Sequence, residues 1–422
     1  MIISKKNITG STVIRNIVSL SVIQIGNYLL PFITLPYLSR ILGPDNFGVT
    51  MFAQSFINYF TLLINFGFDY SVTREIANIK GDINRLSDIF SNIIAAKCAL
   101  FILSTLAVIT VVAGADRLGA NSWLYLSTHM INIGFVLFPQ WFLQGMQKLA
   151  MAGVFSFTVK LLYSISIFLF IKKPAHYLLV NLLLSVAQII AGVLAFWYCI
   201  TKFSLRIMRP SITKIMRYIK DSTMLFLSQL TINLYTNTNI FLLGLYTDPR
   251  QTGLYASVTK IWLVIQGLLL VPFNQSFFPH ISQTFHESVQ LGLARLKKIM
   301  PIISLLALAV CIVLYFTADF AIVFVFGEAY RQAGELLRIV CLLPLVIALS
   351  NIYGIHGLLP LKADRIFLLV TAIGAGFSVV MNLLLLPKYG MYGATWVWLV
   401  TEILITALCM LFFKLKTRSI KI

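Results

Sequence analysis

The 422-residue sequence has few charged residues and very few acidic ones. Only 11% of its residues are charged, and 14 Asp and Glu stand against 33 Lys and Arg, which gives a formal net charge of +19. Soluble domains are about 25% charged and about 45–50% apolar, whereas 59% of this chain is hydrophobic. Because the apolar excess recurs along the whole chain, the composition excludes an ordinary soluble protein and indicates a polytopic membrane protein.

Groupings of chemically reactive residues are absent as well. The five cysteines lie far apart within apolar runs, with no CxxC pair and no His-rich cluster, so the sequence predicts no disulfide framework, no metal site and no cofactor. No paired carboxylates, Ser/His/Asp or Cys/His arrangement is present, and the longest predicted external loop, 318–335, carries only scattered charges. The chain is therefore predicted not to be an enzyme.

Twelve apolar runs are long enough to cross a bilayer as helices, which takes about 20 residues. They cover residues 12–38, 46–68, 89–113, 122–143, 151–171, 177–200, 221–246, 254–273, 299–317, 336–358, 366–386 and 391–413. The basic N-terminus runs into the first of them without a cleavage site, which favours a retained span over a signal peptide. The prediction is an all-α integral membrane protein with an N-terminal six-helix half, 1–200, a basic amphipathic cytoplasmic linker, 201–220, and a C-terminal six-helix half, 221–422.

The distribution of Lys and Arg predicts that both termini are cytoplasmic. The N-terminal tail, the even-numbered turns and the C-terminal tail hold 21 of these residues, and the opposite side holds 7; cytoplasmic loops carry the excess. In the linker, Lys214, Arg217 and Lys220 recur every three residues with apolar residues on the other side. This pattern predicts an amphipathic helix on an anionic membrane surface, and a solvated linker that only sets topology is the alternative.

Two stretches at the same place in each half look alike. "LGPDNFGVTMFAQS" (42–55) opens the second span and "YTDPRQTGLYASVTK" (246–260) opens the eighth, with Gly48 and Gly253 aligned. A third variant, "KYGMYGATWVW" (388–398), opens the twelfth. The likeness predicts a parallel repeat about an axis along the membrane normal, as in transporters with a substrate site between pseudo-symmetric halves around a central cavity.

Six charged residues lie within the predicted spans, beyond Asp221 at the first position of the seventh. They are Arg15, Lys97, Lys160, Lys260, Arg338 and Glu402. The two arginines are close enough to span ends to reach the interface, but a charge near the centre of a span costs about 2.5–3.5 kcal/mol on insertion scales. Three deep lysines against one deep glutamate leave 3 − 1 = +2, which predicts a wet cavity that receives an anion of about pyrophosphate size; a structural ion pair of Glu402 with a lysine is the alternative.

The seventh span is unusually polar in its middle. Gln229, Asn233 and Asn237 are four residues apart and share a helix face. Amide side chains offer donors and acceptors without charge, which suits sugar hydroxyls. Hydrogen bonding between helices is the alternative for these three residues. The first span carries Pro31 and Pro36 at depth, which predicts a bent helix.

With these features in view, the chain resembles the O-antigen flippases of the multidrug/oligosaccharidyl-lipid/polysaccharide exporter superfamily. The likeness covers essentially the whole chain. Four stretches carry it: 27–60, 66–77 ("FGFDYSVTREIA"), 241–261 ("FLLGLYTDPRQTGLYASVTKI") and 351–365 ("NIYGIHGLLPLKADR"). Many relatives have an acidic residue in the seventh span just before the LG pair, where this chain has Asn239.

The resemblance implies a cargo, a location and partners. The cargo is an oligosaccharide repeat unit on undecaprenyl pyrophosphate, moved by alternating access from the cytoplasmic to the periplasmic leaflet of the bacterial inner membrane. The partners are this lipid-linked oligosaccharide, membrane lipids that are anionic at the cytoplasmic face, and other membrane proteins of polysaccharide assembly. Nucleic acid is not expected, because the positive charge lies in short loops between apolar spans.

The resemblance also implies which spans line the cavity, namely the first, second, seventh and eighth. The predicted substrate-binding residues are Arg15, Lys97, Lys160, Gln229, Asn233, Asn237 and Lys260, and the candidate carriers of a coupled proton or sodium ion are Asp69 and Glu402. A multidrug exporter of the same fold is the nearest alternative, although cationic drugs would favour net acidic spans. A membrane-embedded polysaccharide polymerase or ligase would need a large external loop with clustered catalytic residues, and a channel would need ring-forming polar motifs.

Overall fold

A computed structural model describes residues 10–79, 81–119 and 121–419, and the side chains of residues 10–29, 116–117, 275–276, 279 and 419 lie outside this description. Every regular element within the described ranges is a helix. Up to residue 203 they are α1 (Gly10–Asn65), α2 (Phe68–Asn78), α3 (Ile83–Gly114), α4 (Asp116–Gly119), α5 (Ser122–His129), α6 (Ile131–Leu137), α7 (Gln140–Gly145), α8 (Leu149–Phe170) and α9 (Tyr177–Phe203).

The remainder of the described chain is helical in the same way. Its elements are α10 (Ile212–Thr236), α11 (Thr238–Tyr246), α12 (Pro249–Ile265), α13 (Val271–Glu287), α14 (Val289–Phe326), α15 (Ala333–Ile339), α16 (Leu343–Tyr353) and α17 (Asp364–Ser419). Two short π-helical segments interrupt this half, Gln266–Leu270 between α12 and α13, and Gly354–Leu358 after α16. Segments of this kind often accompany functional sites in helical proteins.

About twelve membrane-crossing segments are present, as predicted. Eight helical stretches in the described residues are long and apolar enough to span a bilayer. Two of them hold two spans each, because α1 and α17 turn at Gly43 (φ 70°) and Gly390 (φ 51°), where the backbone leaves helical geometry. The fourth and seventh spans bring the number to twelve. Each is divided into shorter helices, α5–α7 and α10–α11. The all-α fold predicted from the sequence is confirmed.

Helix starts follow from capping residues in the loops. Asp82 precedes α3 and its carboxylate accepts the backbone N–H of Arg85 at 3.0 Å. Asp248 does the same for Gln251 at 2.8 Å, and Pro249 follows it at the first position of α12. An acidic N-cap satisfies an otherwise unpaired amide, and proline at the first helical position loses no hydrogen bond.

The described residues fall into two compact units. The first holds those up to Thr34, together with Ile57–Lys172 and Leu178–Phe226, and the second holds Leu35–Phe56, Lys173–Tyr177 and Leu227 onward. Chain order and compact units therefore differ in three places, one of which is Lys173–Tyr177. The turn between the first two spans belongs to the second unit, and the beginning of the seventh span belongs to the first.

The aligned glycines of the sequence repeat contact each other's helices in the second unit. A Cβ atom built on Gly48 would lie 1.8 Å from the carbonyl oxygen of Pro249, and one built on Gly253 would lie 1.9 Å from that of Pro44. The contact is reciprocal, since each glycine sits four residues after one proline and meets the other proline's backbone. Only a residue without a side chain allows helices to approach this closely.

The first unit has an aromatic core. Phe90 packs against Trp141 and Phe142, with ring centroids 5.7 and 5.4 Å apart, and against Phe196 at 5.4 Å. Gly145 lets α7 approach α2, because a Cβ there would lie 2.7 Å from the side chain of Ile76. This core fixes α2, α3, α7 and α9 relative to one another.

The basic linker differs from the predicted amphipathic helix. Residues 201–203 end α9, Ser204 is left-handed (φ 52°), residues 205–211 have no regular secondary structure, and only from Ile212 does the chain become helical, as the start of the seventh span. The physical reason is Pro210, which disfavours helical geometry in the residue before it and removes an amide donor. The cations at 214 and 217 lie on α10 and contact acidic side chains.

The predicted external loop over 318–335 is also shorter than expected. Helix α14 continues to Phe326, and the chain turns at Gly327 (φ 96°) through a single 3-10 turn into α15. Arg338, which the sequence predicts to reach the interface, pairs through its guanidinium with Asp319 on α14. The aspartate that the sequence placed in a loop is thus a helical ion-pair partner.

Candidate functional site

Two interrupted spans of the first unit meet at a buried lysine. Lys97, on α3, is 2% exposed, and its ammonium donates to the carbonyl oxygen of Phe135 at 2.9 Å. In a continuous helix that carbonyl would accept the amide of residue 139, but residue 139 is proline and has no N–H. The ammonium of Lys97 therefore fills the hydrogen bond that Pro139 removes from the fourth span.

The second span is interrupted close to the same lysine. Phe66 (φ 45°) and Gly67 (φ 74°) are both left-handed, and α2 starts afresh at Phe68. This places Asp69, which is half-buried, in the first turn of a helix, where the dipole favours a carboxylate. Asp69 and Lys97 interact electrostatically. A left-handed phenylalanine stores backbone strain of about 1–3 kcal/mol, and such strain concentrates at functional sites.

A polar network continues along the same face of α3. Thr105, two turns beyond Lys97, contacts Nε2 of His129 at 3.0 Å, and Nδ1 of His129 lies 3.2 Å from the amide nitrogen of Asn132. Asn132 in turn accepts from Thr61 at 2.7 Å. The sequence reasoning missed His129 and Asn132, although two polar residues three apart in an otherwise apolar span could have indicated them.

Lys160 lies half-buried on α8 in this unit. One turn further along, Ser164 accepts a hydrogen bond from Thr34 at 2.7 Å, so this face of α8 packs against the first span. Arg15 is in the helical range of α1, but its side chain lies outside the described part of the chain.

In the second unit, the polar residues of the seventh span surround a break in the helix. Helix α10 ends at Thr236 and α11 begins at Thr238, with Asn237 between them. The amide nitrogen of Asn237 lies 3.2 Å from Oδ1 of Asn233. Gln229 is partly exposed on the same helix. Amide side chains carry both donors and acceptors, which are the groups that a polar ligand contacts.

Lys260 and Glu402 are both in the second unit. Lys260 is half-buried on α12, and Glu402 is buried on α17 at 9% exposure. Glu402 interacts electrostatically with the phenol of Tyr235. None of the ion pairs among the described residues joins Glu402 to a lysine, so the structural ion pair considered from the sequence is not found there.

Asn239 belongs to a buried hydrogen-bond network. Its amide nitrogen donates to the hydroxyl of Tyr255 at 2.9 Å, and its carbonyl oxygen accepts from Asn382 at 2.7 Å. Asn382 also donates to the backbone oxygen of Ser378 at 2.7 Å. Neutral amides and hydroxyls thus bind one another where many relatives carry an acidic side chain.

A separate charged cluster lies at the start of the seventh span. Lys214 contacts both carboxylate oxygens of Asp88 at 2.8 Å, and Arg217 lies 3.6 Å from Glu75. These residues line a cavity of about 490 Å³. Burial, together with the negative charge of Glu75, raises the pKa of Tyr218 to about 12, so its phenol stays protonated at neutral pH.

Comparisons with known proteins agree with this fold and with the resemblance seen in the sequence. The chain matches the family described as "Polysaccharide biosynthesis protein" over residues 13–285. It is 27% identical over 400 residues, 95% of this chain and 96% of the relative, to a "Putative O-antigen transporter" of Escherichia coli (strain K12). That relative is named as a transporter, in agreement with the prediction that the chain is not an enzyme.

Solved structures show the same architecture at low sequence identity. "Lipid II flippase MurJ, inward closed conformation" superposes with a TM-score of 0.76 at 13% identity, covering 94% of this chain and 87% of that one. An inward-facing multidrug resistance MATE family transporter of the MOP superfamily gives 0.69 at 15% identity, covering 96% and 98%. At such identity the likeness establishes the fold.

Proposed function

Because the chain belongs to the polysaccharide biosynthesis protein family, we propose that it is a flippase for an oligosaccharide repeat unit linked to undecaprenyl pyrophosphate. The observation that carries the proposal is the excess of cations at membrane depth. Lys97, Lys160 and Lys260 lie within spanning helices, against Asp69, which interacts with Lys97, and Glu402, which pairs with none of the three in the described residues. A phosphorylated head group is the charge that such a set neutralises.

The transport direction follows from charge and potential. With both termini in the cytoplasm, the head group enters from the cytoplasmic leaflet of the bacterial inner membrane and leaves to the periplasmic leaflet by alternating access of the two halves. Moving a negative charge outward is downhill by about 2.3 kcal/mol per charge per 100 mV of inside-negative potential. Asp69 and Glu402 are the candidate carriers if a proton or sodium ion is exchanged.

Binding roles can be assigned by chemistry. Lys260, Lys160 and Arg15 attract the pyrophosphate. Gln229, Asn233 and Asn237 hydrogen-bond the sugar hydroxyls at the interrupted seventh span, because an amide side chain offers both a donor and an acceptor. The polyprenyl tail stays in lipid, since no protein group is needed to solvate it.

The function is tested by reconstitution. Proteoliposomes with the purified chain are loaded with a fluorescent lipid-linked oligosaccharide, and its exposure on the other leaflet is followed by quenching. Transport of this lipid but not of cationic dyes supports the proposal. Transport of dyes with no movement of the lipid would establish the multidrug alternative instead.

We expect Lys260→Ala to lower the transport rate at least tenfold, and Lys260→Arg to retain most of it, because a half-buried cation contributes charge that alanine lacks and arginine keeps. The measurement is the initial flipping rate at equal protein level in the proteoliposome assay. Lys388→Ala, which removes a cation from a predicted periplasmic turn, is the control and should leave the rate unchanged. An unchanged flipping rate in Lys260→Ala would show that Lys260 does not contribute to the anion site.

A further inference from the structure

The non-helical part of the linker, residues 204–211, is held in a fixed course across α3, and we call it the strap. Its backbone amides at 206, 208 and 211 bind three polar side chains on one face of α3. The pairs are Arg206 to Ser87 Oγ at 3.0 Å, Met208 to Ser91 Oγ at 2.9 Å and Ser211 to Asn92 Oδ1 at 2.8 Å. A surface loop bound at three points keeps its outward side chains in fixed positions.

Those outward side chains include large aliphatic groups. Ile207 is 64% exposed, Met208 is exposed beside it, and Ile212, at the first turn of α10, is 71% exposed. Trp197, near the end of α9, is 67% exposed. Tryptophan concentrates where a span leaves the hydrocarbon, so the strap that follows α9 lies at the depth of the lipid head groups. Aliphatic side chains at that depth can enter the acyl region.

The five cations between residues 202 and 217 divide into two groups. Lys214 and Arg217 are paired with Asp88 and Glu75. Lys202, Arg206 and Arg209 are exposed, and no acidic side chain of the described residues pairs with any of them. The strap with Lys202 therefore presents three uncompensated positive charges next to exposed aliphatic groups.

We propose that the strap is a binding site for anionic phospholipids of the leaflet it faces. Lys202, Arg206 and Arg209 bind the phosphate groups, while Ile207, Met208 and Ile212 enter the acyl region. A free phosphate would use the cations alone, whereas a phospholipid uses both features, and this favours the lipid. The site is distinct from the proposed transport site and does not depend on it.

The test is native mass spectrometry of the full chain titrated with phosphatidylglycerol or phosphatidylcholine. We expect wild type to bind phosphatidylglycerol more tightly. The double variant Arg206→Gln/Arg209→Gln should weaken phosphatidylglycerol binding about 30-fold, since each cation at an anionic surface contributes about a fivefold factor. Ser87→Ala/Ser91→Ala keeps every charge but frees the strap, and should weaken binding severalfold.

Lys297→Gln/Lys298→Gln is the matched control, because it removes two exposed cations from the same predicted side of the membrane. It should bind phosphatidylglycerol as wild type does. Equal losses in the control and the strap variant would show diffuse attraction and overturn the proposal, as would a strap variant that binds normally. Displacement of the lipid by an equal concentration of inorganic phosphate would also overturn it. Thermal unfolding confirms that each variant is folded, and unchanged flipping in the strap variant would leave the proposed function intact.

Discussion

Replacement of Gly48 or Gly253 by alanine is expected to destabilise the second unit by about 3 kcal/mol or more. A methyl group at either position would lie less than 2 Å from a backbone carbonyl oxygen of the opposite helix. Backbone atoms cannot move aside as a flexible side chain can, so the helices must separate and lose packing along their length. The measurements are the amount of protein in the membrane and the thermal unfolding of the purified variant.

Gly376→Ala provides the control for this prediction. Gly376 lies on α17, and a Cβ there would have no neighbour within 4 Å, so alanine should be neutral or slightly stabilising, because it is the better helix former by about 1 kcal/mol. If Gly48→Ala and Gly376→Ala unfold at the same temperature, the close approach of Pro44 and Gly48 to Pro249 and Gly253 does not hold the second unit together.

The second large effect on stability is expected when Lys97 is replaced. Lys97→Met should destabilise the first unit by about 3 kcal/mol, because it removes the positive charge that interacts with the half-buried Asp69 and leaves the Phe135 carbonyl without a donor. Adding Asp69→Asn removes the unpaired charge, so the double variant should regain part of that stability. Transport should remain at least 100-fold reduced in both, because neither retains the charged pair.

A double-mutant cycle on thermal stability measures the interaction between the two residues. A coupling free energy close to zero would show that Asp69 and Lys97 do not stabilise each other. Recovery of wild-type flipping in the double variant would show that the pair serves the fold alone. Lys97→Arg keeps the charge and should be folded, and its transport rate tests whether the ammonium geometry at Phe135 matters.

The sequence predicted the spans well, because continuous apolar runs of about 20 residues have few other uses. It also identified the two repeat glycines, although it could not show that they contact each other's helices. The sequence also identified the polar residues within the spans. Asp69 and Lys97 were assigned separate roles, yet the structure brings them together.

The interruptions of the helices were harder to predict. Pro139 is visible in the sequence, but the donor that replaces its missing amide is the ammonium of Lys97, 38 residues before the Phe135 carbonyl that it contacts. No local pattern encodes such a partner. The left-handed Phe66 breaks the second span although phenylalanine has no preference for that geometry. The periodic charges of the linker do lie on a helix, as predicted. That helix is the beginning of the seventh span and not a separate linker helix.

The bond from Lys97 to Phe135 has a consequence for any movement of that lysine. If its side chain turns toward a ligand, the carbonyl of Phe135 is left without a donor inside the protein, at a cost of about 1–3 kcal/mol. The ligand must then supply more than this to keep the lysine displaced. Once the ligand leaves, the unpaired carbonyl of Phe135 again accepts a hydrogen bond from the Lys97 ammonium. The lysine therefore returns to its original position without an external energy source at this step.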